Sequence, residues 1–430
     1  MTLEHHHSCE PAANGLNGMA TRSDHGSQPA ALSPNLSVLL VRKRTIRIEP
    51  MPQPVLERDG VLVRVMANGI CGSDMHSYMA GGVAGRPVLE PLVMGHEAAG
   101  VVEAVGADVT THKPGDRVAI EPGMPCRRCV NCKNGRSNIC LHMRYCSSPG
   151  THGSLSCYFA LAADRAPHIP PTVGWDEAGS IQPLAIGVQI GKRADIRPHQ
   201  TIAIFGCGPI GLITAAVAHA YSARKIIAFD VRPSRVDFAR KYLSPLTGRP
   251  IIDHVFHIDA IPDFSSKSSS SGNSNGNGTA AASQDEEDAE ETVGDKMWLC
   301  AQGRMREIIA QCGLKSEEGV DRVVEASGAQ DAILHGVAIC KQGGVFLQVG
   351  LGHVQTHLVP TVAITNKELD FRGLTRYTAS CFPSAIDMLE RGVVDLKPLI
   401  TATFPLSRAQ EAFEAVAGGK EIKVIIRNGE

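Results

Sequence analysis

An α/β architecture, a doubly wound parallel sheet joined to a separate β-rich domain, follows from three features of the chain. A strand, a glycine loop, a helix and a second strand succeed one another between Thr201 and Asp230. Short β-rich runs alternating with Gly, Pro and Asp turns fill the stretch from Ser37 to about Arg165. The length, 430 residues, exceeds one ordinary core and divides into two domains.

Within the first region, Val61–Val65 and Ala98–Val105 read as strands. The pattern then changes. Thr201–Phe205 is a short apolar strand, Pro209–Ala220 a helix with proline at its first position, and Lys225–Phe229 the next strand, giving a βαβ unit. Strands at Asp321–Glu325 and Val345–Val349, with a helical stretch between them, continue the parallel pattern, and the last 60 or so residues return to mixed structure. Residues 1–36 are rich in Gly, Pro, Ser, Asn and Ala without periodicity and are expected to be a disordered tail, in which His5, His6 and His7 form a solvated run. A Ser/Asn/Gly run followed by an acidic block, about 264–295, cannot bury enough apolar surface to offset its ordering entropy. It is expected to be a disordered loop expansion, with partner docking as the alternative.

Composition excludes several classes. The chain is 43% hydrophobic and 20% charged with a net charge of −2, so neither nucleic acid nor an anionic membrane is called for as partner. No apolar run reaches the roughly 18–20 residues that span a bilayer. Thirteen cysteines is an odd number, and five of them fall in patterns better explained by metal than by disulfides. With no secretory leader pattern at the start, a cytoplasmic enzyme is expected.

The chemistry lies in three motifs. Cys126, Cys129, Cys132 and Cys140 stand in CRRCVNCKNGRSNIC, and four soft thiolates in one small lobe make a closed structural zinc site. Cys71 in GICGSD and His96 with Glu97 in MGHEAAG form a dispersed set. Mixed Cys, His and carboxylate ligation leaves one position open, as a catalytic zinc requires, although spacing alone does not single these residues out. Third, Gly206, Gly208, Pro209, Ile210 and Gly211 in GCGPIG follow the strand TIAIF directly and open a helix, whose N-terminus suits a pyrophosphate. Asp230 ends the second strand at the distance where a carboxylate binds ribose hydroxyls and repels a 2′-phosphate. NAD is therefore favoured, while Arg232 and Arg235 keep NADP open.

The run GHEAAGVVEAVGADVTTHKPGDRVAIEPG, together with CGSD, the four-cysteine lobe and GCGPIG, resembles the zinc-containing medium-chain dehydrogenases. Within them it looks like the sorbitol, xylitol and L-arabinitol dehydrogenase branch, over about 37–260 and 300–428. The resemblance implies a GroES-like catalytic domain (37–190 and 366–430) split around a central Rossmann domain (191–365), with the active site between them. It implies two zinc ions per subunit and a homotetramer acting on a small polyol or sugar. Cys71, His96 and Glu97 become the catalytic zinc ligands. The region SIQPLAIG has no cysteine to serve as a later ligand, which favours Glu97.

That region holds the main departure. Relatives in the polyol branch carry glutamate where this chain has Gln182, so a carbonyl acceptor is kept and a charge is lost. This makes the zinc more electropositive, and a glutamine here also resembles the glucose-dehydrogenase branch; neutral drift is the alternative. Arg376 and Tyr377 in GLTRYTASCFPSAIDML match the pair lining the polyol pocket, and Ser77 replaces an aromatic residue near it.

The implied mechanism places the substrate hydroxyl on zinc, with its proton leaving through Ser73 and the cofactor ribose and His76 as outer relay. Asp74 anchors a neighbouring ligand or backbone group, and Glu325 and Gly328 in VVEASG are candidates for cofactor contact. Hydride passes to the nicotinamide and a ketose forms. Two other readings compete: a zinc dehydrogenase of an aldose, amino alcohol or simple alcohol, and a catalytically silent paralog that senses a sugar or nucleotide.

Overall fold

In the strand Thr201–Phe205 all five side chains are buried, without the alternation of a half-exposed strand. Such a run must be covered on both faces, as in a parallel sheet flanked by helices. In the computed structural model it lies at the centre of a six-stranded parallel sheet. The order is His254–His257, Lys225–Asp230, Thr201–Phe205, Val320–Glu325, Cys340–Gln348 and Asp370–Gly373. Phe205 is level with both Phe229 and Glu325, so the loops leaving these strands open at one crevice, where the strand order reverses. The structure describes residues 32–83, 86–262, 291–315, 317–352 and 356–428, and the chain from Asn35 onward forms one compact unit.

A second, mixed sheet runs Ile400–Pro405, Lys423–Arg427, Gly60–Gly69, Glu97–Val105, Arg117–Ile120, with Tyr158–Ala162 also paired to Gly60–Gly69. In its register Gly69 lies opposite Glu97 on one side and Ile425 on the other, which brings three segments distant in the chain together in the interior of the sheet.

The helix Ile181–Arg193 joins the two sheets. It packs on Glu97–Val105 and on the helices Pro209–Ala220 and Cys381–Glu390. Ile181, Leu184 and Val188 are fully buried in a core shared with Ala99 and Ala119 of the mixed sheet and Ile202 and Ile204 of the parallel one. Burial of each large aliphatic side chain stabilises by about 1.5–3 kcal/mol. Among the described residues no helix is long and apolar enough to cross a membrane.

Several expected boundaries move. The first strand begins at Asn35, inside the expected tail, because Asn35 is tied in by its side chain, which accepts from the Tyr158 N–H. Helix Ile181–Arg193 runs through the expected division at 190/191, and the strand Asp370–Gly373 extends the parallel sheet beyond 365. The insert ends earlier than 295: helix Val293–Gln311 starts there, capped by Thr292, whose hydroxyl accepts from the Asp295 N–H. The tail to residue 31 and residues 263–290 lie outside the described residues.

Candidate active site and metal centres

Cys71 caps the helix Gly72–Ala80, while His96 and Glu97 stand where the chain enters the strand Glu97–Val105. One ligand atom from each of the three lies within 4.8 Å of the others. A thiolate, an imidazole and a carboxylate at that spacing fit a zinc ion with one position left open. Asp74, buried in the same helix, orders the set. Its carboxylate takes the Cys71 N–H at 3.2 Å, the Gly95 N–H at 3.4 Å and the Ser147 hydroxyl at 2.8 Å. It also faces His96 Nδ1 at 3.4 Å, which turns Nε2 toward the metal position. Burial opposes charge on His96, yet Asp74 and the Cys71 sulfur hold its pKa well above the ordinary value.

Glu97 has a partner that sequence reasoning missed. Its carboxylate is paired with the ammonium of Lys423, which also donates to the Ile70 carbonyl at 3.0 Å. Both side chains are buried. Gly69 makes room for the pair, since a Cβ there would stand 2.5 Å from the Glu97 carboxylate, 2.8 Å from the lysine Cε and 2.7 Å from the Gly179 carbonyl. A lysine opening the buried run KVIIR is the signal that could have found it.

Ser73 Oγ is 3.5 Å from His96 Nε2, so it borders the ligand cluster, and His76 follows one helical turn later. Ser77 is buried. Gln182, in the first turn of Ile181–Arg193, donates from Nε2 to the hydroxyl of Tyr145 at 3.0 Å. Tyr145 is the second residue that sequence reasoning missed. Its ring tilts on His96 at 5.7 Å and lies under the Arg376 guanidinium at 5.1 Å. Burial pushes its phenol pKa up, which keeps it a neutral donor. Tyr377 is buried against Phe382 and lines a small crevice together with Glu121, Asn138, Tyr145, Arg165 and Arg376.

The four thiols of Cys126, Cys129, Cys132 and Cys140 also lie within 4.8 Å of one another. Backbone N–H groups point at sulfur: Cys126 and His142 donate to Cys140, and Cys129 donates to Cys126, at 3.2–3.3 Å. The N–H groups of Cys132 and Leu141 bring the Cys129 thiol down to about 6. Four thiols gathered at this spacing fit a closed tetrahedral zinc.

At the parallel sheet, Gly206 has φ +102°, and a Cβ on Gly211 would lie 1.8 Å from the Gly206 carbonyl, so strand and helix meet too closely for any side chain. Pro209 and Ile210 begin the helix, whose N-terminus faces this loop. The Asp230 carboxylate accepts from the N–H groups of Cys207 at 2.7 Å and Arg232 at 2.8 Å. Arg235 reaches within 4.0 Å of it and lies beside Gly208. Arg232 is drawn away to the Gly419 carbonyl at 3.2 Å.

Glu325 is fully buried and accepts from the N–H groups of Ser327 and Gly328 and from Gln348, so it shapes the loop in which Gly328 stands. Gly328 lets the neighbouring backbone of Gly352 approach.

Residues 57–171 match the alcohol dehydrogenase GroES-like domain and residues 279–391 the zinc-binding dehydrogenase domain. D-xylulose reductase A of Aspergillus oryzae is 34% identical over 399 residues, 93% of this chain and 98% of that protein. The chain belongs to the zinc-dependent medium-chain dehydrogenases, in their polyol branch. D-xylulose reductase A of Aspergillus niger is 35% identical over 91% of this chain and 96% of its own length. Among solved structures, an Escherichia coli oxidoreductase/dehydrogenase of unknown specificity superposes with a TM-score of 0.74 at 26% identity, covering 93% of this chain and all of that one. The E. coli L-idonate 5-dehydrogenase shares the fold, with a TM-score of 0.72 at 22% identity over 92% of this chain and 98% of that one. This medium-chain dehydrogenase thus has the GroES-like and Rossmann parts that its sequence implied.

Proposed function

We propose that this polyol-branch dehydrogenase is a zinc-dependent, NAD-linked enzyme that oxidises a secondary alcohol of xylitol, sorbitol or L-arabinitol to a ketose. The observation that carries the reading is the convergence of Cys71, His96 and Glu97 on one point, with Ser73 and the Gln182–Tyr145 pair beside it. The relatives named D-xylulose reductase support a pentitol as substrate. One zinc is held there and a second by Cys126, Cys129, Cys132 and Cys140. By resemblance alone, the protein is a cytoplasmic homotetramer.

Zinc at the open site supplies Lewis acidity that lets a secondary alcohol lose its proton near neutral pH, and NAD supplies the hydride acceptor. The remaining work falls to side chains. Asp74 keeps the His96 ring oriented. Ser73 Oγ accepts the substrate hydroxyl's proton and passes it outward, with His76 as the next station. Arg376 and Tyr377 face the distal hydroxyls of the polyol. Gly206, Gly208, Pro209, Ile210, Gly211 and Gly328 form the cofactor cradle with Arg235. Asp230, its carboxylate held by two backbone N–H groups, meets the adenosine ribose and disfavours a 2′-phosphate.

Initial rates with NAD and with NADP, using xylitol, sorbitol, L-arabinitol, glucose, threonine and 2-propanol, test the reading. Preference for a polyol with NAD is the expected result. Preference for glucose, threonine or 2-propanol, or no turnover by zinc-loaded protein, overturns it.

A further inference from the structure

Asn138 of the four-cysteine lobe reaches the segment that carries Arg376 and Tyr377. Asn138 lies in the short turn Ser137–Ile139, two residues before the thiol of Cys140. Its side chain donates to the Thr375 carbonyl at 3.0 Å, and its own carbonyl accepts from Arg376 Nη1 at 3.1 Å. Both bonds bear on the same place. The Thr375 carbonyl belongs to the peptide plane that sets φ of Arg376, and that φ is +55°, a left-handed conformation that a non-glycine residue adopts only when its surroundings hold it. The guanidinium so placed lies over the Tyr145 ring, and Tyr145 in turn packs on His96 and accepts from Gln182.

We propose that Asn138 is a positioning residue for substrate binding: it clamps Thr375 and Arg376 so that the guanidinium stays over the pocket. The lobe thereby sets affinity for a long polyhydroxylated substrate as well as stabilising the fold. The inference rests on the function proposed above, in which Arg376 meets the distal hydroxyls. A substrate too short to reach Arg376 is indifferent to the clamp.

The test compares zinc-loaded wild type with Asn138→Ala and the nearly isosteric Asn138→Asp, which cannot donate to a carbonyl when ionised. Xylitol and 2-propanol are the substrates, and zinc content is measured in parallel. Loss of the clamp raises KM for xylitol about fivefold, the size expected for one hydrogen bond, with kcat and the KM for 2-propanol unchanged and two zinc ions retained. Backbone amide exchange across residues 373–378 becomes faster in both variants. An equal rise of KM for both substrates, or a fall in kcat that tracks lost zinc, shows a purely structural role and overturns the proposal. Exchange does not depend on substrate identity: if wild type oxidises neither alcohol the proposed function falls, whereas unchanged exchange at 373–378 overturns the clamp itself.

Discussion

Glu97 and Lys423, 326 residues apart, form a buried ion pair across the glycine end of the strand Gly60–Gly69, and the same carboxylate belongs to the cluster of possible metal ligands. The carboxylate is thus paired with a lysine and, in the proposed function, also faces the zinc. With the lysine truncated, a buried carboxylate remains unpaired unless a metal neutralises it. In Lys423→Met, the zinc-free protein loses about 3 kcal/mol of stability and the zinc-loaded protein distinctly less. Urea unfolding of both forms checks this; an equal loss with and without zinc would mean that Glu97 does not face the metal.

Gly69→Ala acts on the same pair from the backbone side. A methyl group there meets the Gly179 carbonyl, which cannot swing aside like a side-chain tip. Overpacking of this kind costs roughly 1–3 kcal/mol. The expected result is a lower thermal midpoint and a lower zinc content after dialysis, against unchanged values if the strand edge yields.

Gln182→Glu introduces a charge where an amide now donates to Tyr145. A negative group beside the site disfavours loss of the substrate hydroxyl's proton. The limb of the kcat profile that rises with pH therefore moves upward, by about one pH unit, and the order of preference among polyols changes. A superimposable profile would show that Gln182 lies outside the reacting group's field and is neutral drift.

Stability in acid has its own determinant in His335. It is buried beside Phe205, and burial, with Arg304 adding to it, lowers its pKa to about 4 from 6.5. The folded state therefore binds fewer protons than the unfolded one between these values. Its contribution is complete above about pH 6.5 and is lost as pH falls toward 4, the loss amounting to about 2 kcal/mol at pH 5. His335→Phe removes this dependence, so the variant's urea midpoint falls less between pH 7 and pH 5 than that of wild type. Parallel falls in the two proteins would place the acid sensitivity elsewhere.

What could be read in advance was local. Helix Pro209–Ala220 has the bounds that its apolar pattern and first-position proline indicated, and the four thiols that recur within fifteen residues do converge. Lys423, Tyr145 and Asn138 escaped because their meaning depends on partners far along the chain: Glu97, Gln182 and Arg376 reach them only through sheet register and the packing of the lobe. The loop bonds of Glu325 were equally out of reach, because a carboxylate at a strand end suits a ligand and a tight loop equally well and its N–H partners appear only in the folded loop.

In the proposed function Cys71, His96 and Glu97 hold the zinc on which polyol oxidation depends, separately from the four-cysteine zinc. Zinc content per chain, measured together with xylitol-dependent NAD reduction in wild type and Cys71→Ser, tests this. Two zinc ions are expected in wild type and one in a folded Cys71→Ser protein, with xylitol turnover lost along with the missing ion. Two zinc ions and full turnover in Cys71→Ser would show that Cys71 holds no catalytic metal.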